Sequence, residues 1–278
     1  MKFVATAQGR VDKLLAVHLP QYSRAALAKL FETDLVHLDG KPVKPGHKAR
    51  EGAIIEADLS SLEQEQQVVE LPVLYEDENV VVIDKPAGII SHARGRYWYE
   101  PSVASFVRTK VALEGERAGI VHRLDRATSG VMICAKNEET MRLLQRQFSD
   151  RNVTKTYIAV LENIPKDHEA TIDAPIERNP KKPSTFRIGA NGKSAQTEYR
   201  VIQSSGHRSL VEFIPRTGRT HQLRIHAAFI GCPIVGDALY GTAGDRLLLH
   251  AQSLTISIPQ FGKKTFCSRL PKEFRVDK

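Results

Sequence analysis

A chain of 278 residues, 41% of them hydrophobic, has the length for one large domain or two unequal ones and the composition of an ordinary globular protein. Its 40 Lys and Arg exceed its 32 Asp and Glu, and the net charge of +8 favours a polyanionic partner, because each basic side chain that pairs with a phosphate releases condensed counterions. No apolar run is long enough to span a membrane, no signal-like apolar segment opens the chain, and Cys134, Cys232 and Cys267 are too widely separated for a disulfide framework or a zinc site. The expectation is a protein of the reducing cytoplasm, with no membrane partner. Charge alone does not separate RNA from DNA or from an acidic protein.

The first sixty residues read as a small module of their own. Val11, Leu14, Leu15 and Leu19 share one helical face that Pro20 closes, and Ser23 is placed to cap a second helix carrying Ala26, Leu27, Leu30 and Phe31. Asp39-Gly40, between residues 35–38 and 41–43, is a hairpin signal, and residues 53–57 read as a closing strand. Residues 61–72 are expected to form a linker, since the stretch from Leu59 to Gln67 is rich in Ser, Glu and Gln without apolar periodicity. A larger domain is expected over 73–278. Residues 80–83 predict a strand ending in the turn Lys85-Pro86-Ala87-Gly88, and residues 131–135 a second strand. Residues 138–148 predict a helix with Met141, Leu144 and Phe148 on one face and acids in its first turn. Strands are expected over 157–161, 195–201 and 210–214, a helix over 218–230 ended by Gly231 and Pro233, and a late strand over 246–251. Strands and helices in this irregular order predict an α+β domain with a mixed sheet. Arg178, Lys181, Lys182, Arg187 and Lys193 crowd one loop-like stretch suited to backbone contacts with nucleic acid, while acids gather over 63–78.

The most informative stretch is Gly119-Ile120-Val121-His122-Arg123-Leu124-Asp125-Arg126-Ala127-Thr128-Ser129-Gly130. It sets one carboxylate, Asp125, after an extended apolar stretch and before a tight turn, where a rigid scaffold commonly presents a reactive side chain. No acid neighbours it in sequence, and no metal-ligand cluster or phosphate loop is evident. From spacing alone Asp125 reads equally well as a surface acid capping a turn.

The wording of this stretch resembles the H-R-L-D…T-S/T-G signature of the RluA/RluD-type pseudouridine synthases. Further matches follow in family order over roughly residues 70–270: Tyr75-Glu76-Asp77-Glu78-Asn79 with Asp84-Lys85-Pro86-Ala87-Gly88, then Lys155-Thr156-Tyr157, the run from Pro215 to His226, and Arg246-Leu247-Leu248-Leu249-His250-Ala251. The first module resembles the S4 RNA-binding domain, with Arg10-Val11-Asp12, Tyr22-Ser23-Arg24 and Leu38-Asp39-Gly40-Lys41 at its signature positions. The resemblance implies an α+β, mainly antiparallel catalytic domain behind an S4-like α/β module over 1–60. It implies an isomerase that detaches uracil from C1′ of its ribose, turns it and rejoins it through C5, without ATP, metal or redox cofactor.

By the same resemblance Asp125 is the catalytic nucleophile, attacking C6 of the base or C1′ of the sugar, and Arg224 its ion-pair partner. Tyr157 is the residue that stacks on the uracil and passes the C5 proton, directly or through water. Arg123 is expected to fill the space left by a flipped nucleotide. His122, Arg219, His221 and Leu249 are expected to contact the RNA around it, His122 alternatively serving only to bond the turn backbone and Leu249 only the core. Arg10, Arg24, Lys29 and Lys41 are the expected phosphate contacts of the first module. The partner is RNA, ribosomal from the large subunit by resemblance, with a tRNA stem-loop as the alternative, and the protein is expected to be a monomer. A fold retained for RNA binding without turnover, or a metal-dependent nuclease, are the competing readings. The chain departs from the family pattern at Ala127, at Asp39, and over Arg94-Gly95-Arg96-Tyr97-Trp98-Tyr99, a basic and aromatic segment that would suit base stacking or a packing plug.

Overall fold

The computed structural model describes residues 1–63, 67–92, 100–111, 113 and 117–276, so the Arg94-to-Tyr99 segment lies outside the described residues. The chain divides into two compact units, Met1–Gln67 and Val68–His92 with Pro101–Lys278.

The first unit comprises β1 (Lys2–Val4), β2 (Gly9–Arg10), α1 (Val11–His18), α2 (Arg24–Glu32), β3 (Val36–Leu38), β4 (Lys41–Pro42), β5 (Lys48–Ala49) and β6 (Ile54–Ala57). One sheet runs in the order β1-β6-β3-β4, and β2 pairs with β5. The Ser23 hydroxyl accepts the Ala26 N–H at 3.2 Å, capping α2. Asp39 and Gly40 both take positive φ, 49° and 79°, the backbone of a tight hairpin, and the Asp39 carboxylate accepts the Ile54 N–H at 2.9 Å. The apolar faces of both helices, Val11, Leu15, Leu27 and Leu30, close over Val36 and Ile55. The linker is shorter than the sequence reading of 61–72. The Asp58 carboxylate accepts the Ser60 N–H at 2.9 Å and starts a helical turn, Ser60–Leu62, whose Leu62 is buried in the first unit's core. At the far end Leu71 is already buried in the second.

The second unit comprises β7 (Val73–Glu76), β8 (Val80–Lys85), α3 (Val103–Arg108), β9 (Ser129–Ala135), α4 (Glu138–Ser149), β10 (Thr154–Leu161), β11 (Glu169–Asp173), β12 (Ile176–Arg178), β13 (Phe186–Ile188), β14 (Gln196–Ser205), β15 (Arg208–Pro215), α5 (Gln222–Phe229), β16 (Leu249–Ile258) and β17 (Gly262–Cys267). Nine strands form one sheet, β11-β14-β15-β10-β16-β9-β8-β7, with β17 also on β16; β12 and β13 make a separate hairpin. The unit is α+β with a mixed, mostly antiparallel sheet. The parallel pairing is that of β16 with β9, through His250↔Ser129 and Ala251↔Gly130.

Strand periodicity explains the layering. On β8, Val81 and Ile83 face one side with Met132 and Cys134, packing on Val103, Phe106 and Val107 of α3. Val80 and Val82 face the other side with Ile133, packing on Leu144 of α4 and Ile256 of β16. Because both faces are covered, β8 and β9 read as continuous apolar runs. The third layer packs Leu223 and Ala227 of α5 on Tyr199 and Phe213.

Two boundaries differ from the sequence reading. The helix expected over 218–230 begins only at Gln222, because His221 takes a left-handed φ of 57° and the Gln222 side-chain oxygen accepts the Arg219 N–H at 2.9 Å, folding 218–221 into a loop. The late strand begins at Leu249, leaving Arg246 outside it.

The parallel pair is tight at its start. Gly130 has φ +114°, and a Cβ there would stand 2.2 Å from the Ala251 carbonyl oxygen. Gly130→Ala is therefore expected to cost about 2–4 kcal/mol, combining backbone strain with a clash that cannot relax into a side chain. Urea unfolding would show this as a lowered midpoint with unchanged slope.

Candidate active site

Asp125 lies in the loop entering β9, which is tied down from the turn after β8. The Ser91 hydroxyl donates to the Leu124 carbonyl at 2.7 Å and accepts the Leu124 N–H at 3.1 Å. The Gly88 N–H donates to the Arg126 carbonyl at 2.8 Å, and the Thr128 N–H to that of Asp125 at 3.0 Å. Lys85, whose side chain is fully buried, donates to the carbonyls of Pro86 and Ile89 at 2.8 Å each and of Arg126 at 3.3 Å. Burial pushes the Lys85 ammonium down to about 7, while the Asp125 carboxylate opposes that shift. The sequence reading took 85–88 only as a turn and gave Lys85 and Ser91 no part in the site.

The Asp125 side chain faces a cavity of about 480 Å³. Its carboxylate accepts no hydrogen bond among the described residues. Two groups of α5 and its leading loop approach it without direct bonding, Arg224 Nη1 and His221 Nε2, both at 3.8 Å from Oδ2. The cavity is also lined by His122, Arg123, Tyr157, Arg219 and Leu249, so the eight residues that the sequence reading assigned around the nucleotide share one wall.

Arg224 stands beside Asp125 as the sequence reading expected, at 3.8 Å, but has a second and tighter acidic partner. Its guanidinium forks onto Asp237, Nε at 2.8 Å and Nη2 at 2.6 Å, and Asp237 also accepts the N–H groups of Leu239 and Tyr240 at 3.0 and 3.2 Å. Burial works against both charges. The forked pair outweighs it, holding the Asp237 carboxyl below its usual range and the guanidinium above its own. Asp237 thus fixes Arg224, and Arg224 offers its remaining edge to Asp125. Nothing in the linear pattern marked Asp237 or Tyr240. The Tyr240 hydroxyl accepts the Phe186 N–H at 3.0 Å and meets His221 Nδ1 at 2.9 Å. A phenol donating to Nδ1 leaves the imidazole proton on Nε2, the nitrogen that faces Asp125. Burial lowers the His221 pKa and the neighbouring carboxylate of Asp125 partly restores it.

Tyr157, on β10, has its phenol pKa raised by burial and then by the charge of Asp125, so it stands protonated beside that carboxylate. His122 is engaged within the chain: Nε2 accepts the Ile133 N–H at 3.1 Å, the ring stacks on Phe148 at 4.6 Å, and burial drives its pKa down to about 3. The Arg219 Nε donates to the Ser194 carbonyl at 2.9 Å, and Leu249 is buried, serving core and cavity wall together. In the first unit, Arg10 and Arg24 both bind the Asp12 carboxylate at 2.9 Å, and Lys41 is exposed. Lys29, half-buried on α2, stands one turn from the end of that helix. In the basic hairpin, Arg187 pairs with Glu177 at 2.7 Å, and Arg178 donates to the Pro183 carbonyl at 2.6 Å.

A lone carboxylate in a cavity whose other charged groups are cations suits an enzyme that handles an anionic substrate around one acid. The sequence model of the RNA pseudouridylate synthases matches residues 79–229, a span that contains Asp125, Tyr157 and Arg224. The chain is 39% identical to a ribosomal large subunit pseudouridine synthase D of Borreliella burgdorferi over 221 residues, 75% of this chain and 68% of that one. It is 35% identical to the like-named protein of Nitrosomonas europaea over 272 residues, 91% and 78% of the two chains. Among solved structures, human RNA pseudouridylate synthase domain containing 1 superposes with a TM-score of 0.61 at 28% identity, covering 74% of this chain and 86% of that one. Human RNA pseudouridylate synthase domain containing 4 gives 0.59 at 27% identity, covering 73% and 90%. The chain belongs to the RNA pseudouridylate synthase family, of the RluA/RluD type, and is an RNA pseudouridine synthase.

Proposed function

We propose that this enzyme isomerises uridines of large-subunit ribosomal RNA, using Asp125 as a nucleophile on a nucleotide flipped into the cavity. The observation that carries the reading is the Asp125 carboxylate itself, half-buried, without a hydrogen bond among the described residues, and flanked at 3.8 Å by an arginine that another acid holds in place. Such a group is free to attack without being locked in a tight pair. The choice of ribosomal RNA rests on the names of the relatives.

In this reading Asp125 bonds covalently to the uridine, the C1′–N1 bond breaks, the uracil turns, and a C1′–C5 bond forms. The C5 proton then leaves, N1 carries a proton, and the carboxylate is released. Arg224 steadies the carboxylate. Tyr157, protonated at rest, stacks on the uracil and relays the C5 proton through water. Arg123, exposed at the cavity mouth, occupies the vacated stack, which offsets part of the few kcal/mol that unstacking costs. His221 and Arg219 contact the substrate from the α5 loop, and His122 braces the turn. The first unit, read as S4-like, supplies phosphate contacts through Lys29, Lys41, Arg10 and Arg24, and the enzyme acts as a monomer.

Pseudouridine mapping by carbodiimide modification and primer extension, on total RNA from cells with and without this gene, tests the reading. Loss of discrete signals in large-subunit ribosomal RNA, restored by the intact gene, is the expected result. Signals lost from tRNA instead would replace the substrate and keep the chemistry.

A further inference from the structure

The cavity extends past the surroundings of Asp125. Beyond Tyr157 its wall follows β10 back to Lys155 and Val153, and turns around the end of α4 at Phe148 and Arg151. Lys155 and Tyr157 are two apart on one strand and leave the same face. The irregularity at this point adds its extra residue, Gln252, to β16 and leaves the alternation of β10 intact.

Two lysines of this unit lie against the protein interior, Lys85 fully buried and Lys155 half-buried, and the chain treats them differently. Lys85 has three carbonyl acceptors. Lys155 makes no hydrogen bond or ion pair among the described residues, and burial lowers its pKa with no carboxylate opposing. Its Nζ points to the loop before α5, 3.8 Å from where a Cβ on Gly218 would stand. A half-buried ammonium on a cavity wall without a counter-ion is placed to take an anion from a ligand.

Arg151 gives a second, independent sign. It occupies the left-handed position after α4, φ 59°, where glycine is the usual residue, and Asn152 N–H closes the turn onto the Gln147 carbonyl at 2.9 Å. Its guanidinium makes no hydrogen bond or ion pair among the described residues. An arginine thus sits unpaired and exposed on the cavity rim at a position whose backbone favours glycine. Of the cavity's other cations, Arg216 pairs with Glu198 at 2.7 Å, Arg224 with Asp237 and Arg219 with a carbonyl, while Arg123, already assigned to the vacated stack, has no such partner among the described residues. Among the cavity-lining residues the one carboxylate is Asp125, which does not reach Lys155.

We propose that Lys155 and Arg151 form a phosphate subsite that holds a phosphodiester of the RNA strand next to the reacting uridine. The inference rests on the reading of the cavity as the seat of a flipped nucleotide. The subsite grips the strand equally before and during the reaction, so its loss raises KM and leaves kcat.

The test uses the full chain with two probes, a fluorescein-labelled oligouridylate decamer for binding and an unmodified large-subunit ribosomal RNA transcript for turnover. Lys155→Gln is expected to raise KM about tenfold with kcat within about twofold, and to reduce the slope of log Kd against log salt for the decamer by about 0.7, the value for one phosphate on a single strand. Lys155→Arg should restore both. Arg151→Gly is the discriminating variant: relief of the left-handed strain raises the melting temperature by about 2 °C while KM rises and the salt slope falls. An unchanged KM and salt slope in Lys155→Gln, or a loss confined to kcat, overturns the subsite. So does an Arg151→Gly protein that is more stable and binds as wild type. A wild-type enzyme that leaves the transcript unmodified counts against the ribosomal substrate, and the decamer, which needs no target, then decides the subsite alone.

Discussion

Asp125→Asn should abolish pseudouridine formation while leaving the protein folded and RNA binding within a few-fold of wild type. The loss should exceed about 10³-fold in single-turnover rate, because removing a covalent nucleophile deletes a step instead of tuning it. The rest of the expectation comes from the geometry. The Asp125 side chain accepts no hydrogen bond among the described residues, so an amide of the same shape leaves no donor unsatisfied. Arg224 keeps its forked bond to Asp237 and is not left as an uncompensated buried charge. The loop backbone is held by Ser91, Gly88 and Lys85, none of which touches the Asp125 carboxylate by a hydrogen bond. Tritium release from RNA labelled at uridine C5 measures the rate, and anisotropy measures binding. Release at the wild-type rate would remove Asp125 from the chemistry.

Asp237→Ala should act on stability and activity together. It strands the Arg224 guanidinium in a buried site and takes the acceptor from the Leu239 and Tyr240 N–H groups, a loss of about 3–5 kcal/mol. For a chain of this size that corresponds to a fall in melting temperature of roughly 10 °C. Arg224, released, is drawn onto Asp125 and quenches it, so turnover falls even below the melting range. The pair also sets an acid limit. Asp237 has a folded pKa below its ordinary 3.8, so its contribution is complete above that value and drains away as pH falls through the lower folded pKa. The difference in stability between wild type and Asp237→Ala should therefore be constant from pH 7 to about 5 and shrink at lower pH. A constant difference down to pH 2 would show that Asp237 is held by something other than its charge.

Local chemistry was legible in the sequence, and long-range pairing was not. Ser23 as a cap, Asp39-Gly40 as a hairpin turn and Asp125 before a buried strand all follow from short-range rules, and the structure has each of them. The over-long helix at 218 shows where those rules fail. Nothing among Arg219, Thr220 and His221 is a helix breaker, but the side chain of Gln222 competes for the Arg219 N–H and turns the backbone aside. Arg224 was found by its motif, yet the identity of its tight partner was hidden, since Asp237 sits 13 residues away in a turn that resembles any other. Lys85 was equally opaque: three carbonyls from two separated turns converge on it, and carbonyls carry no sequence signature.

The parallel pairing of β9 with β16 has a consequence for the order of assembly. The reactive acid is made before the middle of the chain, but the strand that steadies its loop spans Leu249–Ile258, and the acid that disciplines Arg224 comes only at residue 237. A ribosome still extending this polypeptide therefore carries a centre with its nucleophile present and its frame missing. Because such distant pairing closes late, competence waits until residues 249–258 have been made, and a chain extended only as far as its nucleophile lacks the frame that the reaction needs.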